Sequence, residues 1–289
     1  MPQILLYYIY TNIADPEALR QSQRQLCESL GLTGRIIIAA EGLNGTVEGT
    51  TENTERYIDE MRKDPRFANI NFKRSPGTGA AFPKLSIKVR SEIVSAHLGE
   101  DDVFPAQLTG KHLSPAELHD WIHSDKEFYI IDMRNDFEHK IGFFPNSILP
   151  PLKNFRDLPQ ILPGLEHLKN KTVVTVCTGG VRCEKASGFL LKHGFNDVYQ
   201  LENGIVSYME KYPEEDFKGL LYVFDGRVTM GFNYSEIPHE IVGVCAKCGE
   251  ASENYVNCAR KSCNWHFICC VRCLEKTGQA FCSSDCSVA

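Results

Sequence analysis

The chain carries its apolar residues in short runs of strand length, separated by polar, helix-forming stretches. ILLYYIY, near the start, reads as a strand. DPEALRQSQRQLCESL reads as a helix, with Asp15 as N-cap and Pro16 at the first helical position. GRIIIAAEG and LNGTVEG form a strand pair around EGLNG, TENTERYIDEMRKD is a second helix, and INFKRS and LSIKVR supply further strands. This order predicts an α+β, split βαβ domain of the ferredoxin or acylphosphatase type over residues 1–95. Residues 96–113 are polar and acidic at Glu100, Asp101 and Asp102, and read as a linker. Ser114, Pro115 and Glu117 then form a capping-box signature opening a helix. Beyond it EFYIIDMR, KTVVTV and DVYQLEN alternate as strands with the helices EKASGFLLKHG and IVSYMEKYP. Such alternation predicts an α/β domain over 114–213, a parallel sheet covered on both faces. Residues 214–243 read as a connector containing a hairpin, LLYVFDGRV, around Asp225-Gly226, followed by a cysteine-rich segment over 244–289.

Composition adds little until charge and cysteine are placed. A length of 289 residues suits one large domain or two or three small ones, and 43% apolar with 24% charged residues is ordinary for a soluble protein. A net charge of -6 argues against a nucleic-acid footprint spread over the whole chain. One stretch departs from that balance. Residues 60–90 hold Arg62, Lys63, Arg66, Lys73, Arg74, Lys84, Lys88 and Arg90 against Glu60 and Asp64. This is the best candidate for a surface that meets a phosphate backbone; a solvated face balancing acidic neighbours is the plainer alternative. The start has no signal-peptide pattern and no apolar run is long enough to span a bilayer, so no membrane contact and a cytoplasmic location are expected. Nothing in the pattern sets an oligomeric state.

Of twelve cysteines, nine lie between Cys245 and Cys286. In a cytosolic setting, crowded thiols point to metal rather than disulfides. Two C-x2-C pairs, Cys245/Cys248 and Cys270/Cys273, are the first choice for one zinc; Cys258, Cys263, Cys282 and Cys286 make an interleaved second set. His266 is an alternative ligand and Cys269 is then spare. An iron–sulfur cluster and unligated packed thiols are the other readings.

The stretch CTGGVRCEK, residues 177–185, follows VVTV and precedes a helix. Ligands bind beyond the carboxyl ends of parallel strands, so Cys177 stands at a functional position. Thr178, Gly179, Gly180 and Val181 turn the chain into the helix, where backbone N–H groups and the helix dipole form an anion cradle that lowers a cysteine pKa. Arg182 adds a cation. Four residues separate Cys177 from Arg182, one fewer than a phosphatase loop needs, which favours a smaller cargo such as persulfide sulfur. Cys183 falls in the first turn of the helix: a resolving thiol, or a small packed side chain.

VVTVCTGGVRCEKASGFLLKHGF resembles the active-site segment of rhodanese domains, and IIDMRNDFEHKIGFFPNSI resembles their early motif, matched by Asp132, Arg134, Glu138 and Gly142. Phe143 stands where rhodaneses often carry histidine. The resemblance implies Cys177 as the sulfur carrier, with Arg182 beside it and Asp132 and Arg134 ordering the loop or simply forming a stabilising ion pair. EGLNGTVEG at 41–49, FPKLSIKVRSEIV at 82–94, CTGGVRCEK and the cysteine-rich tail occur together in this order. That layout resembles the tRNA uridine 5-hydroxylase family, long called the UPF0176 rhodanese-domain proteins. The resemblance implies hydroxylation of uridine 34 of tRNA with molecular oxygen as co-substrate, and makes the eight basic residues candidates for tRNA binding. Without it, a rhodanese domain alone implies sulfur transfer to a thiol or protein acceptor. Phe143, Phe144 and Tyr199 are candidates for stacking on bases, or core residues. No flavin or nicotinamide glycine fingerprint is evident, and no histidine–carboxylate iron triad shows in the spacing.

Overall fold

A computed structural model describes residues 1–232, 239–263 and 265–287. The N-terminal unit comprises β1 (Pro2–Tyr10), α1 (Pro16–Ser29), β2 (Thr33–Ala39), β3 (Gly42–Thr50), α2 (Thr51–Arg62), β4 (Lys73–Pro76) and β5 (Leu85–Val89). Asp15 caps α1 by accepting the Ala18 N–H at 2.9 Å. The strands lie in the order β4-β1-β3-β2-β5, antiparallel except for the parallel pair β2–β5. This is the expected split βαβ arrangement. Strand residues alternate between faces. Leu5, Tyr7, Ile36, Ile38 and Val47 pack with Leu19, Tyr57, Ile58 and Met61 of the helices. The opposite set, including Leu6, Tyr8, Arg35, Ile37 and Lys73, turns toward the rest of the chain.

The central unit runs β6 (Lys111–Leu113), α3 (Pro115–Ile122), β7 (Tyr129–Asp132), β8 (Gly142–Phe143), α4 (Leu158–Leu165), β9 (Thr172–Val176), α5 (Val181–Lys192), β10 (Asp197–Leu201) and α6 (Gly204–Lys211). Its sheet, β6-β10-β9-β7, is wholly parallel. Ile131 and Val173 pack against Phe189 on one face, while Ile130, Val174 and Val176 pack against Ile205 and Tyr208 on the other. Ser114 and Glu117 close the capping box that opens α3. The stretch expected as a linker is built into this unit: Ala96 and Leu98 are core residues, and β6 is an edge strand of the sheet.

Further on, β11 (Lys218–Gly219) pairs with β8, and β12 (Leu221–Tyr222) pairs with β13 (Thr229–Met230) across the turn that carries Asp225-Gly226. Residues 233–238 of the expected connector lie outside the described residues. The tail holds β14 (Tyr255–Asn257), β15 (His266–Ile268), α7 (Val271–Thr277) and α8 (Ser284–Ser287) around a small core of Cys245, Cys258, Phe267, Cys269, Ala280 and Cys286.

The first two units are joined face to face. Glu41, from EGLNG, accepts the Ile93 N–H at 2.8 Å and pairs with buried Lys185 of α5 at 2.8 Å. The Tyr8 hydroxyl donates to Glu184 at 3.1 Å and the Tyr10 hydroxyl to the Val181 carbonyl at 3.2 Å. The non-helical face of the first sheet is thus laid over the first turn of α5, where the cysteine loop ends.

Candidate active site

β9 ends at Val176, and residues 177–180 turn directly into α5. Gly180 holds a φ of +99°, a region that an L side chain rarely adopts, and this aims its N–H at the Cys177 Sγ, 3.2 Å away. The loop is clamped from behind by α6. Ile205 N–H donates to the Cys177 carbonyl at 2.9 Å and Val206 N–H to the Thr178 carbonyl at 3.0 Å. Gly204 comes so close that a Cβ there would lie 2.6 Å from the Gly180 nitrogen, so a side chain at 204 would displace the cradle.

Burial by itself pushes the Cys177 thiol up. The Cys183 thiol as hydrogen-bond donor, the Arg182 charge and the backbone N–H groups of Cys183 and Arg182 overcome it, and the thiol settles at about 6 instead of 9.0. Cys183 moves the other way: burial, then the neighbouring Cys177, raises it well above its ordinary value. The two cysteines therefore shift in opposite directions, Cys177 toward the thiolate and Cys183 toward the neutral thiol. Arg182 is not a free cation. Its guanidinium is gripped by both Glu138 oxygens at 2.5 and 2.8 Å, and it donates to Thr178 Oγ1 at 3.3 Å. The Glu138 position within the early motif is the sequence signal for this pairing. Asp132 and Arg134 form a fully buried pair at 2.6 Å, and Arg134 also donates to the Gly142 carbonyl at 2.7 Å. Neither lines the cleft; they tie the end of β7 to β8 behind the loop.

Cys177, Thr178, Gly179, Val181 and Arg182 lie at one wall of a cleft of about 460 Å³. The facing wall is the N-terminal sheet. Its Lys73 is buried, its ammonium has no hydrogen-bond partner among the described residues, and it sits 4.9 Å over the Tyr8 ring. Burial pulls Lys73 down to about 8, with Cys177 and Glu184 opposing. The predicted basic set divides. Lys73 and Arg74 line the cleft, Arg74 while paired with Glu55 at 2.7 Å. Lys63 and Arg66 are held by Glu60 and Asp64 at 2.6 Å each. Arg62, Lys84, Lys88 and Arg90 are exposed, and Lys88 stands opposite the cleft residue Ile37. Arg35, Arg156 and Arg227 also line the cleft although no charge cluster marks them; Arg35 sits in the strand run GRIIIA, where alternation places it on the free face.

The stacking candidates do not reach this cleft. Phe144 is core between Tyr208 and Phe217, Tyr199 lies edge-on to Trp121, and Phe143 belongs to the β8–β11 pair. The aromatic residues that do line it are Tyr8, Phe82, Phe155 and Phe224, three of them outside the predicted catalytic domain or in its connector.

In the tail, Cys245, Cys248, Cys270 and Cys273 come together, as do Cys258, Cys263, Cys282 and Cys286, with the ligand atoms of each set within 4.8 Å of one another. Sγ–Sγ separations of 3.7 Å (Cys248–Cys270) and 3.6 Å (Cys263–Cys282, Cys282–Cys286) match the edge of a tetrahedron with metal–sulfur bonds of about 2.3 Å. Both sets can coordinate a metal. Cys269 is in neither, and His266 is instead hydrogen-bonded to Tyr222 at 2.9 Å. A third group, His119, His123, Glu215 and Asp216, also brings its ligand atoms within 4.8 Å of one another.

Three family descriptions match successive parts of the chain: the UPF0176 acylphosphatase-like domain over residues 2–93, the rhodanese-like domain over 114–211 and the rhodanese C-terminal region over 218–287. Relatives match along nearly the whole chain. A tRNA uridine(34) hydroxylase of Cytophaga hutchinsonii is 47% identical over 284 residues, covering 98% of this chain and 89% of the relative. Those of Bacillus cytotoxicus and Enterococcus faecalis are 46% and 45% identical, covering 99% and 91% of this chain and 88% and 83% of the relatives. With the sheet-walled thiolate cleft and both cysteine sets lying inside the matched length, the chain belongs to the tRNA uridine(34) hydroxylase family.

Proposed function

We propose that this protein is a cytoplasmic oxidoreductase that hydroxylates uridine 34 of tRNA at carbon 5, with molecular oxygen as co-substrate. The observation that carries the reading is the cleft itself: a stabilised Cys177 thiolate on one wall and cationic Lys73, Arg35 and Arg156 around it. A wobble base already lies in a single-stranded loop, so drawing it into the cleft costs little unpairing. Tyr8, Phe155 and Phe224 offer ring faces for it, and the cations face the flanking phosphates. Cys177 adds to carbon 6 of the uracil ring, which makes carbon 5 nucleophilic; carbon 5 takes one oxygen atom of O2, the other leaves as water with two electrons and two protons from an external reductant, and loss of the carbon-5 proton expels Cys177. Arg182, neutralised by Glu138, holds the loop rather than binding phosphate. Arg62, Lys84, Lys88 and Arg90 extend the contact along the anticodon arm. The two tail clusters hold structural zinc, each as a four-thiolate set that folds the cysteine-rich segment. A persulfide sulfurtransferase uses the same loop, but the overlaid sheet narrows access in a way that a small thiol acceptor does not require.

The test is mass spectrometry of tRNA nucleosides from cells lacking the protein, complemented with wild type or Cys177→Ser. Restoration of 5-hydroxyuridine derivatives by wild type alone is expected. Equal restoration by Cys177→Ser, with both proteins folded, overturns the assignment.

A further inference from the structure

The group formed by His119, His123, Glu215 and Asp216 lies away from the cleft and from both thiol clusters. His119 and His123 are four residues apart on and just after α3, so both rings project from one side of the helix end. Glu215 and Asp216 arrive from the segment that follows α6. His119 Nε2 lies 2.9 Å from Glu215 and His123 Nε2 3.0 Å from Asp216, and one ligand atom from each of the four falls within 4.8 Å of all the others.

Three further features orient these donors. Tyr212 stacks on the His119 ring at 4.0 Å between centroids, with the planes only 10° apart. The buried Tyr208 hydroxyl donates to Asp216, the kind of outer hydrogen bond that fixes a ligating carboxylate. Glu214, just before the pair, holds a φ of +60°, a turn that brings two consecutive carboxylates to the same place. Among the described residues neither Glu215 nor Asp216 has a lysine or arginine partner. Two imidazoles and two carboxylates with no lysine or arginine partner make a donor set of two nitrogens and two oxygens. His123 and Glu215 are about half exposed, which leaves an approach from solvent.

We propose that these four residues form a separate binding site for a borderline divalent transition metal, zinc first, clamping α3 to the segment after α6. Imidazole selects zinc-like ions over magnesium or calcium. The site is not a catalytic iron centre for the cleft. None of its residues lines the cleft, and it lies beyond the C-terminal end of α6, whose N-terminal end holds Cys177; eight residues of helix span about 12 Å.

Zinc titration of the full-length protein in competition with a chromophoric chelator tests this, by comparing wild type with His119→Gln and His123→Gln. Wild type is expected to take up one more zinc per chain than either variant, or to hold that ion at least about tenfold more tightly. Taking the difference between chains makes the result independent of how full the thiolate clusters are. Equal uptake and affinity in wild type and His123→Gln overturns the proposal. His123 is exposed enough for that variant to fold even if the loss of the His119–Tyr212 stack destabilises the other.

Discussion

Cys183 can be separated from Cys177 by a change of one atom. If the Cys183 thiol stabilises the Cys177 thiolate by donating to it, Cys183→Ala removes the donor and Cys183→Ser keeps one. A hydrogen bond to a charged group contributes roughly 1.5–3 kcal/mol. At about 1.4 kcal/mol per pKa unit this is about one to two units. The Ala variant should therefore titrate at about 7 to 8 instead of about 6. At pH 7 the thiolate fraction falls from roughly nine-tenths in wild type to between roughly a half and a tenth. The assay is the pH profile of iodoacetamide alkylation, followed by mass spectrometry on the peptide that carries Cys177, so that the other eleven cysteines do not interfere. The thiolate is the reactive form, so the rate rises with pH and levels off above the midpoint. Cys183→Ser should follow wild type. A wild-type midpoint near 9.0, or an unchanged midpoint in Cys183→Ala, refutes the donor role. The same Ser variant addresses turnover: if Cys183 resolves an intermediate as a disulfide partner, Ser abolishes hydroxylation even though the Cys177 midpoint is preserved.

Glu138→Gln leaves the Arg182 guanidinium buried without its counter-charge; a loss of about 3–5 kcal/mol in unfolding free energy is expected from denaturant titration. Lys73→Met removes a buried ammonium that has no hydrogen-bond partner among the described residues, so thermal stability should hold or rise, while activity on tRNA falls at least about tenfold; equal activity would show that Lys73 does not meet the substrate. Because burial lowers Lys73 to about 8, its charge is present below that pH and lost above it, and the Lys73-dependent part of tRNA affinity should decline from pH 7 to pH 9. Stripping metal with a strong chelator should open residues 244–287 to limited proteolysis and leave the two preceding units intact, since the core of that segment is built largely from the thiols themselves.

Much of the architecture could be read from local pattern because local physics carries it. Asp15-Pro16 and Ser114-Pro115-Glu117 start their helices by capping within one turn, and Asp225-Gly226 turns the hairpin. The loop from Cys177 to Arg182 was legible for the same reason: the amide that meets Cys177 Sγ belongs to Gly180, three residues away. What faces that loop was not legible. Leu6, Tyr8 and Lys73 reach it through the packing of one sheet on another unit, and no periodicity reports which face of a sheet a distant helix will cover. Position in the sequence therefore leaves the aromatic residues near strand ends open between stacking and core, and Phe144 and Tyr199 are taken by their own core neighbours. Counting charge over 60–90 had a similar limit, because Glu55, Glu60 and Asp64 hold three of the eight cations. His119 and Asp216 come from distant segments, so their meeting depends on how α3 and α6 pack.

The hydrogen bond from Tyr8 to Glu184 joins residues 176 positions apart. On a ribosome adding roughly 5–20 residues each second, Glu184 is made about 10 to 35 seconds after Tyr8. Until then the free face of the first sheet, Leu6 and Lys73 included, is not covered by α5. The first unit must therefore stay soluble with that face uncovered, and its cationic residues suit that need as well as they suit RNA. The cleft is complete only when α5 has docked and Phe224, Arg227 and Met230, which also line it, have followed. A chain that stops short of α5 carries the N-terminal wall but lacks the helix start that holds Cys177 against it.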